Sequence, residues 1–117
     1  MALSDDIITK VRQDFIEDDS LLVLQRLKEL VAEHAKLFSD RILRCLVVLA
    51  GGNIDKLVKA VATARLDWRD VIGAAEYDRG NQVRLLSLPF GIYPDLKVFK
   101  QWFVGREILI PWANNQK

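Results

Sequence analysis

Asp67 and Asp70 stand three residues apart around Trp68 and Arg69 in the stretch LDWRDVIGAAEYD, residues 66–78. Two carboxylates this close can do general acid–base work when a cleft and a perturbed environment drive their pKa values apart. The same spacing also marks a helix start. Asp67 would be the N-cap and Asp70 the N3 residue of a capping box in which aspartate replaces the usual glutamate. Trp68, Val71, Ile72 and Ala75 follow at helical spacing, on one expected inward face. The pair is therefore read as structural.

His34 and Cys45 are the chain's single histidine and single cysteine. Measured around a helix from Leu27, His34 falls about 20° from the centre of an apolar stripe that includes Val31 and Phe38. It is expected to be a largely buried, hydrogen-bonded residue, with the lining of a small ligand pocket as its functional alternative. No second histidine exists, and no cysteine or acid stands at ligand spacing on that face, so no metal site is expected. Cys45 as a nucleophile would need His34 as its base. It lies inside an apolar run, where thiols are inert filler. No serine elbow, phosphate-binding glycine loop, dinucleotide fingerprint or HExxH is present, so no catalytic residue and no cofactor are expected, and the chain is read as a non-enzyme.

The charge balance gives little field to work with. Seventeen Lys and Arg face sixteen Asp and Glu, for a formal net charge of +1. Nothing here steers the chain toward nucleic acid or an anionic membrane. The arginines at 41, 44, 65, 69, 79 and 84 are scattered, and the helix–turn–helix look of residues 39–65 lacks the Arg, Asn and Gln that read base edges. The sequence MALSDDIITK is acidic where a secretory signal would be basic and then apolar, and the longest apolar run, residues 45–50, is too short to span a bilayer. One unpaired cysteine suits a reducing compartment. A cytoplasmic protein is the expectation.

The elements that must position these residues are helical. Half of the 117 residues are apolar and 28% are charged, the composition of one globular domain with a real core. Ser4 before two aspartates reads as a helix start. A second start is expected at Asp18 or Asp19, opening a long amphipathic helix to about Leu37 with Val23, Leu24, Leu27, Leu30 and Val31 inward. Ser39 is expected to cap a third helix, whose residues 42–50 are apolar nearly all round, as in the centre of a bundle. Gly51 would end it in the left-handed C-terminal position, and Asn53 would cap the next helix. After Asp78 the pattern is lost, and residues 79–93 read as an irregular crossing. The expected fold is an all-α bundle of five or six helices in a single domain, 1–117.

Residues 41–78 also resemble a family of short bacterial helical proteins of unknown function, which carry a glycine-rich turn and then a D-[WY]-R-D … A-E-Y segment. The matching residues are Gly51, Gly52, Asp55, Asp67, Trp68, Arg69, Asp70, Ala75, Glu76 and Tyr77. The resemblance implies a helical fold and brings no activity, substrate or cofactor with it.

The C-terminal segment 94–112 carries more apolar surface than one helix face can hold. Leu96, Phe99 and Phe103 share a stripe, Trp102 points elsewhere, and Ile108, Leu109, Ile110 and Trp112 follow. Phe99, Trp102, Phe103, Ile108 and Trp112 are the expected interface residues. Taken together, the sequence predicts a small interaction or assembly module, a homodimer being the favoured state. A regulatory domain that binds a small apolar ligand near His34 is the alternative.

Overall fold

The computed structural model describes residues 3–78, 81–82 and 84–91. These form five helices: α1 (Asp5–Asp14), α2 (Glu17–Glu33), α3 (Asp40–Ala50), α4 (Ile54–Leu66) and α5 (Trp68–Glu76). A short antiparallel ladder follows, in which β1 (Tyr77–Asp78) pairs with β2 (Asn81–Gln82), with Tyr77 opposite Gln82 and Asp78 opposite Asn81. The fold is an all-α bundle. The expected sixth helix and the interface residues Phe99, Trp102, Phe103, Ile108 and Trp112 lie outside the described residues.

α3 is the centre of the bundle. It packs against α4 and α5 and also against α1, which in turn meets α2. Every residue from Ile42 to Val47 is buried, so the all-round apolar character of this helix follows from its having neighbours on all sides. One continuous core links Ile7 and Val11 of α1, Leu27 and Leu30 of α2, Leu46 of α3, Val61 of α4 and Val71 of α5.

Local chemistry sets most of the boundaries. Ser39 accepts a hydrogen bond from the Ile42 N–H, and Asn53 Oδ1 accepts one from the Lys56 N–H at 3.0 Å. Gly51 closes α3 in the left-handed region at φ +53°, its N–H bonded to the Val47 carbonyl. Two starts differ from expectation. Ser4 occupies the N-cap of α1, but its hydroxyl donates to Asp40 Oδ2 at 2.9 Å instead of capping. α2 begins at Glu17 behind Ile16, ahead of Asp18 and Asp19, with no side-chain cap.

α2 also stops earlier than its stripe suggests. Its last helical residue is Glu33, and His34 turns to φ −154°, ψ 82°. The chain then makes a tight turn before Ser39, which lets Phe38 enter the core by another route. Nothing in the composition of residues 34–37 marks this stop, since alanine and lysine are good helix formers.

Candidate functional site

The early end of α2 decides where His34 goes. Instead of lying on an inward helical face it is exposed, with ring Nδ1 accepting a hydrogen bond from the Leu37 N–H at 3.2 Å. The expectation of a buried histidine is corrected by the turn. With Nδ1 as acceptor, Nε2 carries the proton and is a donor. His34 sits on the rim of an open cleft of ≈ 470 Å³, lined also by Lys36, Leu37, Ser39, Arg41, Ile42, Trp68 and Ile72. Trp68, expected to face inward, is 49% exposed on this cleft while Val71 and Ala75 take the buried positions of α5.

Asp67 does double duty. Its N–H donates to the Thr63 carbonyl at 2.8 Å as the end of α4, and its Oδ1 accepts from the Arg69 N–H at 3.0 Å as the start of α5. α4 and α5 thus meet at one residue. Since the Asp67 N–H is already bonded to α4, Asp70 has no orphan donor to reach, and the expected capping box does not close. Instead Arg69 folds back, its Nε and Nη2 3.0 and 3.1 Å from the Asp67 carboxylate. The Arg69 side-chain bond, then its backbone N–H, hold the Asp67 carboxyl below its usual pKa. Asp70 is exposed. The partner of the Asp67 carboxylate is Arg69.

Two ion pairs with a buried member escaped the sequence reading, both anchored on α3. Arg41 reaches Glu76 at the end of α5 through Nε–Oε2 at 2.7 Å and Nη2–Oε1 at 2.9 Å, and the Glu76 side chain is fully buried. Arg44, itself buried, donates to Asp6 of α1 at 2.9 Å and to the Leu86 carbonyl at 3.3 Å. Asp6 Oδ2 also accepts the Phe90 N–H at 3.0 Å. Burial by itself pushes the Asp6 carboxyl up. The bonds from Arg44 and Phe90, with the charge of Arg44, outweigh it and leave the pKa below the ordinary value. Charged residues in a nearly all-apolar helix must be paired, and that was the available signal.

Cys45 lies beside the first pair, with Sγ 3.9 Å from Glu76 Oε2. Burial, and then the nearby Glu76 charge, push the thiol up to about 12. A thiol in that state is no nucleophile, and its polar neighbour is a carboxylate instead of an imidazole. Among the described residues, no three His, Cys, Asp or Glu side chains converge as metal ligands. Nor is any helix there long and apolar enough to cross a membrane.

The second surface feature is apolar. Leu22, Val23 and Arg26 of α2 face Ile54, Leu57, Val58 and Val61 of α4 across a groove of ≈ 210 Å³. Leu22 and Val58 are 64% and 62% exposed there. A third depression lies between α1, the end of α3 and residues 84–91, where Lys10 Nζ sits 5.9 Å from the centre of the Phe90 ring.

No family model, curated protein or solved structure matches this chain.

Proposed function

We propose that this chain is a small non-enzymatic assembly module that pairs with a second copy of itself through the groove between α2 and α4. The observation that supports this is the apolar groove that none of the described residues covers, with Leu22 and Val58 standing exposed at its edges. Protruding apolar side chains beside an apolar depression form a self-complementary patch, which is what a two-fold interface requires. Large apolar side chains clustered at a solvent-facing groove are the usual signature of an interaction surface. A formal net charge of +1 offers little repulsion against self-association.

Light scattering on the full chain across a micromolar concentration series tests this reading. The expected mass rises from one chain toward two, and Leu22→Glu combined with Val58→Glu holds it at one with unchanged helical circular dichroism. A wild type that stays monomeric throughout ends the proposal. So does a dimer that survives the two glutamates but is lost with Trp102→Ala and Trp112→Ala, because the interface would then belong to the C-terminal segment.

A further inference from the structure

The cleft beside His34 has a composition that selects a ligand, independently of any pairing through the α2/α4 groove. Among the described residues that line it, none is acidic, while His34, Lys36 and Arg41 are three of the eight. The apolar part comes from Ile42, Ile72 and the half-exposed Trp68 ring. Its volume of ≈ 470 Å³ lies within the range of small-molecule sites. We propose that this cleft binds a small carboxylate with a flat aromatic body, the carboxylate on Lys36 and Arg41 and the ring against Trp68.

Arg41 is held for this role from behind. Buried Glu76 takes its Nε and Nη2, and among the described residues its Nη1 has no acceptor. The guanidinium therefore cannot swing away, and its remaining edge is a fixed donor. Glu76 also cancels most of the Arg41 charge, so the net positive charge of the cleft rests on Lys36. One unit of uncompensated charge suits a monoanion better than a phosphate dianion. The protonated Nε2 of His34 adds a neutral donor at the rim. Trp68 offers a π-face wide enough for an aromatic ring, and Ile42 and Ile72 add apolar wall to the same cleft. A purely apolar ligand would leave the donors of Arg41 and Lys36 unpaired against it.

The probe is 1-naphthoate, titrated into the full chain and followed by heteronuclear NMR. The signals to watch are the Trp68 indole N–H and the amides of His34 and Arg41. Saturable shifts there are expected, with a Kd below about 1 mM. The neutral 1-naphthamide and the dianion 1-naphthyl phosphate should each bind at least about fivefold more weakly, since each mismatches the single charge. Lys36→Glu and Trp68→Ala should each weaken 1-naphthoate about tenfold without changing the circular dichroism, and Lys36→Arg should retain binding. Both side chains are exposed, so these variants should fold. The inference falls if 1-naphthoate saturates nothing, if the amide binds as well, or if the shifts map to Leu22 and Val58. It falls equally if Lys36→Glu binds like the wild type, or if only acidic peptides occupy the cleft.

Discussion

Arg41 and Glu76 are joined across the bundle by two charge-assisted hydrogen bonds, 2.7 and 2.9 Å long, that tie the first turn of α3 to the last residue of α5. The carboxylate has no exposed surface, whereas the arginine side chain is 40% exposed. The pair is thus a buried anion neutralised from the surface. Such an arrangement adds little compared with an apolar replacement of both partners, yet removing one partner is expensive.

Arg41→Ala should accordingly lower stability by about 3 kcal/mol, because Glu76 is left charged and unpaired in the core. Adding Glu76→Leu should recover much of that loss. Urea unfolding of the two single variants and the double variant measures the coupling. Equal effects of Arg41→Ala in the presence and absence of Glu76 would show that the pair carries no coupling.

The Asp6–Arg44 pair predicts an acid-sensitive contribution. Asp6 has its pKa depressed in the folded state from an ordinary 3.8. Its stabilising effect is therefore fully present above that value and is lost as pH falls through the lower, folded value. The expected result is a stability gap between wild type and Asp6→Asn that is constant from pH 7 to about 5 and closes below about pH 4. Because Asp6 also holds the Phe90 N–H and Arg44 the Leu86 carbonyl, amide exchange at Phe90 should quicken in the variant. A gap that persists unchanged at pH 2.5 would contradict this linkage.

What could be read from the sequence was whatever depends on neighbours within one helical turn. The Ser39 and Asn53 caps, the left-handed Gly51 and the buried α3 all follow from side chains acting on adjacent backbone or from a short apolar period. Asp67 was legible as a cap, but its second task at the end of α4 was not, and that task removed Asp70 from the motif. The stop of α2 at His34 has no glycine or proline to announce it, so the periodic stripe ran on to Phe38 and put His34 inside. Arg41 and Arg44 were legible only as two of several scattered arginines, because their partners lie 35 and 38 residues away. The cleft is built from those same unread features: the early turn at His34, the paired Arg41 and the outward Trp68.

Cys45 should be silent toward thiol reagents in the folded protein. Its thiol is buried, and burial together with the Glu76 charge places its pKa at about 12. At pH 8 a thiol of that kind is about one part in ten thousand thiolate. Reaction with a chromogenic disulfide should follow global unfolding and accelerate with urea in step with the loss of helical signal. Rapid labelling of the native protein at pH 8 would mean that the thiol is accessible through local opening.

Gly51 and Gly52 should differ sharply when each is replaced by alanine, although both have positive φ, +53° and +84°. A Cβ on Gly51 would meet nothing within 4 Å, so only the backbone conformation resists it. The expected cost is about 1 kcal/mol. A Cβ on Gly52 would lie 2.3 Å from the Asp14 carbonyl oxygen at the end of α1. The obstacle is backbone, so no side chain can rotate away, and α1 must shift from the α3–α4 turn for the alanine to fit. The expected loss is about 3 kcal/mol or more, visible as a large drop in the urea midpoint. Arg44–Asp6 should weaken with it, since that pair also spans α1 and α3. Equal midpoints for Gly51→Ala and Gly52→Ala would show that α1 does not press on the turn, and the close packing of α1 against this corner of the bundle would have to be abandoned.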